Sequence, residues 1–193
     1  MCGVDEVGRG PLAGPVVACA VVTDQPLYLE FLDDSKTVTQ LRRAALAQDI
    51  RTQAISFSLG WATPEEIDRL NILGASKVAM SRALGGLAVA PDRVLVDAVT
   101  IPLCPWPQEP IIDGDAKSAV IAAASVVAKV FRDLWMDQCD ALYPEYGFAQ
   151  NKGYATREHL GALAKHGPSP IHRRTFAPVL QPTFDFLLDG AAL

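Results

Sequence analysis

The sequence has few of the residues that build disulfide or metal–thiolate frameworks. It contains four cysteines and three histidines. The cysteines, at positions 2, 19, 104 and 139, are scattered and form no C-x-x-C pair. This pattern predicts a reducing compartment and no zinc site, so we expect a cytoplasmic protein. No apolar run reaches the length of a membrane span, and we expect neither a signal peptide nor contact with a membrane.

Basic residues are also scarce, which argues against a protein that binds nucleic acid through overall positive charge. Lys and Arg number 17 against 22 Asp and Glu, for a net charge of −5. The charges are uneven, however, because residues 151–178 carry five basic side chains and only one acidic side chain, Glu158. A local basic patch can attract a polyanion even on an acidic protein. An ordinary solvated surface explains the same charges equally well.

The first 22 residues predict a strand, a tight turn and a second strand, with Asp5, Glu6 and Arg9 gathered at the turn. Residues 8–13 also match the dinucleotide-binding pattern G-x-G-x-x-A. That pattern requires a helix directly afterwards, to place its N-terminus at a pyrophosphate. Here Gly14-Pro15 and a valine run follow, which favours a strand over a cofactor loop.

The remaining chain predicts an α/β fold with a mixed sheet, and we expect one domain because 193 residues bury a full core. Alternation or apolar runs predict strands at 55–61 and 93–97, and a proline-rich loop at 101–110. Thr39 is expected to cap a helix to about residue 53, with Leu41, Ala44, Ala45 and Leu46 on its apolar side. Thr63-Pro64 predicts a second helix start, and further helices are expected at about 72–87, 120–135 and 156–166.

Four carboxylates stand at the ends of predicted elements: Asp5, Glu6, Asp97 and Asp115. If the strands of Asp5 and Asp97 are neighbours, these groups converge and repel one another unless a divalent cation neutralises them. Oxygen ligands select Mg²⁺ or Mn²⁺. Consecutive strand residues face opposite sides, so Glu6 must reach round the strand end to join Asp5. Taken singly, Asp97 and Asp115 are better explained as ordinary turn or cap residues.

The opening stretch DEVGRGPLAGPVVA, residues 5–18, resembles the signature of the ribonuclease HII family. Two further blocks are similar to that family, IAAASVVAKVFRD at 121–133 and YGFAQNKGYAT at 146–156. The resemblance covers about residues 4–178. It implies a ribonuclease H-like mixed β-sheet flanked by helices, with a small helical C-terminal extension. We expect a catalytic part over 1–137, a basic substrate-binding extension over 138–178 and a tail over 179–193.

The resemblance also implies an activity: endonucleolytic hydrolysis of the RNA strand of RNA/DNA hybrids, including single ribonucleotides in duplex DNA. The products would carry 3′-hydroxyl and 5′-phosphate ends. Asp5, Glu6, Asp97 and Asp115 would be catalytic and would hold Mg²⁺ or Mn²⁺. The residues implied in substrate binding are Gly8, Arg9, Gly10, Lys36, Ser125, Lys129, Tyr154, Arg173 and Arg174. Tyr154 would stack on a sugar beyond the RNA–DNA junction, and Lys129 pairing with Asp133 on the helix surface remains an equal alternative.

Three departures from the family pattern bear on substrate affinity. Ala98-Val99 follows Asp97 where Gly-Asn is usual, Asn151 replaces a histidine, and Asp113 stands where a basic residue is usual. None removes a carboxylate, so we interpret the protein as an active enzyme. We expect it to be a monomer. A binding module of the same fold without catalysis is the alternative, and a nucleotide-cofactor oxidoreductase is a weaker one.

Overall fold

A computed structural model describes residues 1–25, 27 and 39–180. The predicted polar turn at 33–36, with the predicted substrate contact Lys36, lies outside the described residues. Most of the predicted tail also lies outside them. Among the described helices, none combines the length and apolarity needed to cross a membrane.

The described residues form one five-stranded mixed sheet in the order β3-β2-β1-β4-β5. The strands are β1 (Cys2–Val7), β2 (Val16–Val22), β3 (Ser56–Ala62), β4 (Val94–Asp97) and β5 (Gln108–Ile111). β1, β2 and β3 are antiparallel neighbours, whereas β4 runs parallel to β1 and β5 runs parallel to β4. The predicted hairpin and mixed sheet are confirmed. β5 was missed, because its proline falls in a stretch that reads as a loop and is tolerated at a sheet edge.

In the part of the chain that the structure describes, seven helices and one short 3-10 helix accompany this sheet. They are α1 (Gln40–Gln53), α2 (Pro64–Gly85), α3 (Gly114–Lys117), α4 (Ala119–Leu142), the 3-10 helix (Pro144–Tyr146), α5 (Phe148–Asn151), α6 (Arg157–His166) and α7 (Ala177–Leu180). α4 is longer than predicted and continues through residues 137 and 138. A continuous helix therefore joins the two parts of the chain that the sequence divides there, and the division itself stays a prediction.

Local capping signals were correct, whereas one predicted helix face was wrong. The Thr39 side chain accepts from Arg42 N, and Thr63 and Glu66 form a complete capping box at α2. α2 joins the two predicted helices across a kink at Asn71, which has φ 59°. In α1 the buried residues are Leu46, Ala47 and Ile50, while Leu41 is 82% exposed. Ala44 and Ala45 are also exposed.

The sheet separates two hydrophobic cores. One face packs against α2 through residues such as Val4, Ala18 and Met80. The other face packs against α1 and α4 through residues such as Cys19 and Ile121. Because α4 crosses directly behind β1, its side chains reach the end of the strand that carries the carboxylate pair.

Candidate active site

Asp5 and Asp97 stand at the same end of two neighbouring strands. β1 and β4 are parallel, with Val4 paired to Val96, so each aspartate is the next residue along its strand. The condition under which the carboxylates were expected to converge, that these two strands are neighbours, is met. Since parallel strands end at the same sheet edge, the topology alone brings these two carboxylates together.

Asp5 is a buried carboxylate. It is 5% exposed, and its Oδ1 accepts from Glu6 N at 2.7 Å. Burial raises the pKa of Asp5 to about 7, with further increases from the charges of Glu6 and Asp97. A hydrogen bond from Ser125 on α4 acts in the opposite direction and favours the ionised form. The group is therefore poised to give up its proton when a cation approaches.

Glu6 lies beside Asp5 and is only partly satisfied. Its side chain is 5% exposed, and Oε1 accepts from Arg9 Nη1 at 3.3 Å. Oε2 is buried and has no hydrogen-bond partner. Burial raises the pKa of Glu6, Arg9 lowers it, and the charge of Asp97 raises it. Asp97 therefore acts electrostatically on both Asp5 and Glu6, which places three of the four predicted carboxylates in one charged cluster.

Asp97 is linked to Asp115 through the intervening residue Gly114. Asp97 Oδ1 accepts from Gly114 N at 2.7 Å, at the start of α3. Gly114 is buried, and a Cβ there would lie 3.2 Å from the same carboxylate oxygen. Asp115, half-buried, follows in the first turn of α3. The chain thus brings Asp115 to the strand end through one backbone hydrogen bond.

Within residues 1–25, 27 and 39–180, no three His, Cys, Asp or Glu side chains are arranged so that they could hold a metal ion. Two contacts give a physical reason. Glu6 is turned toward Arg9, and Asp97 is turned toward the amide of Gly114. The carboxylates share an edge of the sheet, but Glu6 Oε1 and Asp97 Oδ1 are each engaged with another partner.

The turn at Gly8-Arg9-Gly10 and Tyr154 lie next to each other. A Cβ on Gly10 would lie 3.8 Å from the Tyr154 ring, and Leu12 N donates to Gly153 O at 2.7 Å. Tyr154 is 46% exposed and is not part of the buried core. The structure therefore presents a glycine-rich backbone and an aromatic ring on one exposed surface, as a pair of sugar contacts would require.

Arg173 does not occupy a position from which it could contact a phosphate. It is fully buried, and its guanidinium donates to the carbonyls of Gly8, Arg9 and Gly14. The prediction of a phosphate contact is wrong for this residue, because its side-chain donors form hydrogen bonds with backbone carbonyls. Arg174, by contrast, is exposed, and its backbone N donates to Asp68 Oδ2.

Two other predicted substrate contacts lie on α4. Ser125 is half-buried and forms a hydrogen bond with Asp5, so its contact is with the carboxylate cluster. Lys129 Nζ donates to Asp133 Oδ1 at 2.5 Å, which is the helix-surface ion pair that was the alternative for this lysine. Asp133 is 5% exposed and also lies 4.0 Å from Arg43 Nη1.

Asn151, one of the three departures, has a structural role. It is 8% exposed, donates to Tyr146 O and accepts from Gly153 N, each at 2.7 Å. Its side chain therefore shapes the turn that leads to Tyr154.

Three buried residues near the site were missed in the sequence: Arg132, His159 and His172. Arg132 carried a readable signal, since it is spaced four residues from Ala128 and from Met136 on the buried face of α4. A cation on an apolar face must find internal acceptors. The two histidines carried no local signal, because their shared contact of 2.9 Å joins Nε2 atoms from separate segments.

Comparison with known proteins identifies the family. A sequence model of ribonuclease HII matches residues 2–179. Ribonuclease HII of Desulfitobacterium hafniense is 58% identical over 181 residues, 94% of this chain and 70% of the relative. The crystal structure of ribonuclease H2 from Pyrococcus horikoshii OT3 has a TM-score of 0.77 and 25% identity, covering 96% and 98% of the two chains.

Bst-RNase HIII in complex with Mn²⁺ shares the fold. Its TM-score is 0.72 at 16% identity, over 94% of this chain and 68% of its own. Similarity over most of this chain to proteins named as nucleases gives no support to a binding module without catalysis. The chain belongs to the ribonuclease HII family, whose members are endonucleases of the ribonuclease H class.

Proposed function

We propose that this protein hydrolyses the RNA strand of RNA/DNA hybrids, and single ribonucleotides in duplex DNA, at Asp5, Glu6, Asp97 and Asp115. The observation that carries the proposal is the cluster at one strand end, where the charge of the half-buried Asp97 raises the pKa of the buried carboxyl groups of Asp5 and Glu6. Family membership supports the reaction class, and the products would carry 3′-hydroxyl and 5′-phosphate ends.

The chemistry of these residues suits a divalent cation, although Glu6 and Asp97 would have to turn from Arg9 and Gly114 to bind one. Burial, and in addition the charge of Asp97, raises the pKa of Asp5 and of Glu6; both groups are therefore destabilised when ionised, and a cation removes that cost. Glu6 Oε2 is a buried acceptor that lacks a donor. An all-oxygen set suits Mg²⁺ or Mn²⁺ and does not suit zinc. When bound, such ions activate water and stabilise the leaving oxygen of a phosphodiester.

The protein's own residues would then perform distinct tasks. Ser125 keeps Asp5 oriented and partly ionised. Arg9 pairs with Glu6 and is exposed enough to turn toward a substrate phosphate instead. The amide of Gly114 fixes the Asp97 carboxylate, so that Asp97 and Asp115 approach the scissile phosphate together.

Recognition of ribose would come from the turn and the ring beside it. A backbone without side chains at Gly8 and Gly10 can approach a 2′-hydroxyl closely. Tyr154 would stack on the sugar of the adjoining deoxynucleotide, and the exposed Arg174 would contact a phosphate further along the duplex. Lys36 remains a predicted phosphate contact. The cytoplasmic location and the monomeric state also remain predictions.

Cleavage of a labelled duplex with one ribonucleotide, with Mg²⁺ or Mn²⁺ and with EDTA, tests the proposal. Asp97→Asn and Asp115→Asn should each lose most turnover and keep their circular dichroism spectrum. Asp113→Asn is the matched control, because it removes a charge from the same turn at an exposed position. Near-parent cleavage by either first variant at saturating Mg²⁺ would refute the four-carboxylate assignment. Binding without metal-dependent cleavage would favour the inactive module.

A further inference from the structure

Two arginines are among the largest fully buried side chains of this protein. Arg132 is 1% exposed and Arg173 is 0% exposed. Within the described ranges, neither guanidinium forms an ion pair with a carboxylate. Burial accordingly lowers the pKa of both groups, and that of Arg173 falls to about 9. A buried cation without a counter-ion is costly, so its contacts require an explanation.

The contacts are six hydrogen bonds to backbone carbonyls, 2.5–3.0 Å long. Arg132 donates to Ala13, Pro15 and Lys152, and Arg173 donates to Gly8, Arg9 and Gly14. Five of the six acceptors belong to residues 8–15, the loop that joins β1 to β2. Arg132 and Arg173 are called the arginine clamp below.

The clamp determines which way the turn's peptide groups face. In a trans peptide the carbonyl and the following N–H point in opposite directions. Because the carbonyls of Gly8 and Arg9 point at Arg173, the N–H groups of Arg9 and Gly10 must point away from it. Both residues are exposed, so these two donors face the surface where Tyr154 lies.

Gly8 shows how closely the clamp approaches the turn. It has φ +87°, and a Cβ there would lie 2.2 Å from Arg132 Nε. The glycine is thus required both for its backbone conformation and for the space that Arg132 fills. Arg132 also holds the Lys152 carbonyl, two residues before Tyr154, so one side chain fixes the turn relative to the tyrosine segment.

We infer that the arginine clamp is a positioning device for ribose selection. By directing the carbonyls of the turn inward, it aims two amide donors at the 2′-hydroxyl, and a forked guanidinium is needed because one residue must hold three carbonyls. This inference rests on the proposed function. It assigns selectivity to peptide orientation and not to the Arg9 side chain.

The test measures binding of two duplexes that differ only in one ribose, in an Asp97→Asn background so that substrate is not consumed. The readout is the ratio of Kd for the all-DNA duplex to Kd for the duplex with one ribonucleotide. Arg173→Lys keeps the charge and loses the fork. We expect it to lower this ratio about tenfold, the effect of one lost hydrogen bond of 1.4 kcal/mol, while affinity for the all-DNA duplex is retained.

Arg82→Lys is the matched control. Arg82 also donates to a backbone carbonyl, that of Trp61, and pairs with Glu66, but it lies on α2 away from the turn. A loss of general stability would affect both lysine variants, whereas a change in the Kd ratio should follow Arg173 alone. An unchanged ratio in folded Arg173→Lys would overturn the inference.

A second variant decides the question even if Arg173→Lys does not fold. Arg9→Ala removes an exposed side chain and leaves the clamped carbonyls in place. Both Kd values should rise together, so that the ratio stays the same. A large decrease of the Kd ratio in Arg9→Ala would overturn the inference, because the Arg9 side chain would then be the group that recognises the ribose. A parent protein that binds both duplexes equally would instead contradict the proposed function.

Discussion

The carboxylate of Asp97 accepts a hydrogen bond of 2.7 Å from the backbone N–H of Gly114. This contact joins the end of β4 to the start of α3, 17 residues later. It uses one Asp97 oxygen, restrains the rotation of the side chain and sets the position of Asp115. The contact therefore assembles half of the candidate site before any cation binds.

The raised pKa of Asp5 predicts a pH-dependent stability without metal. Its folded pKa of about 7 exceeds the ordinary 3.8, so the stability is fully present below about pH 3.8 and is lost as pH rises through 7. At pH 8 in EDTA, Asp5→Asn should therefore raise the free energy of unfolding by up to about 4 kcal/mol. Thermal melts at pH 8 and pH 4 measure this gain, which should vanish at the lower pH. Equal melting temperatures at pH 8 would contradict it.

The exposed Tyr154 ring predicts a substrate-dependent loss. Tyr154→Ala should lower kcat/KM at a lone ribonucleotide by about tenfold, since stacking on an aromatic side chain contributes ~1–3 kcal/mol. Within a long RNA/DNA hybrid the loss should be smaller, because many registers are available. Tyr154→Phe keeps the ring and should resemble the parent. Equal losses on both substrates would remove the junction-reading role from this residue.

Ala98, which stands where the family usually has glycine, yields a stability prediction. Its φ is 52°, in the left-handed region where glycine is favoured. Ala98→Gly should raise the free energy of unfolding by about 1 kcal/mol in urea denaturation. Ala88→Gly is the control, because Ala88 is exposed and does not have a positive φ. This substitution should lower the free energy of unfolding. A loss of stability in Ala98→Gly would show that the turn is not strained.

A buried histidine pair predicts a pH dependence of the opposite sign to that of Asp5. His159 Nε2 and His172 Nε2 lie 2.9 Å apart, and the Nδ1 of His159 contacts Tyr154 O. Ser169 N donates to His172 Nδ1. Burial lowers the pKa of His172 to about 4, with a further decrease from the charge of His159. Stability from this pair is present above pH 6.5 and is lost as pH falls toward 4.

Because the Asp5 and histidine effects oppose each other over the same pH range, the histidine measurement belongs in the Asp5→Asn background. There, the melting temperature should fall between pH 7 and pH 5, and His172→Asn should flatten that slope. A parallel slope in the two proteins would exclude the pair as its source.

Local patterns in the sequence were sufficient for the β1–β2 hairpin, the Thr63–Glu66 capping box and the placement of Asp5 and Glu6. These features depend on residues a few positions apart. The burial of Arg173 was unpredictable because its hydrogen bond to Gly8 spans 165 positions, and a basic pair near a C-terminus reads as a surface feature. β5 was missed for a related reason, since pairing with β4 overrides a composition typical of loops.

Asp113 carries the last prediction, because it adds a negative charge two residues before Asp115. It is exposed and has φ 54°, which aspartate tolerates and lysine also adopts in this protein, at Lys152 with φ 50°. Two effects compete at this position, attraction of a cation and repulsion of substrate phosphates. Each exposed charge pair contributes no more than about 1 kcal/mol. The phosphate effect should dominate, since a polyanion presents several charges within the Debye length of about 10 Å at 0.1 M salt.

Asp113→Lys should therefore lower KM for a hybrid substrate and steepen its dependence on salt, with a small rise in the Mg²⁺ required. KM across a salt series at saturating metal measures this effect. Asp113→Asn, which removes the charge without reversing it, should fall between the parent and the lysine variant. An unchanged KM and salt slope in both variants would show that Asp113 faces away from the substrate and serves only the turn before α3.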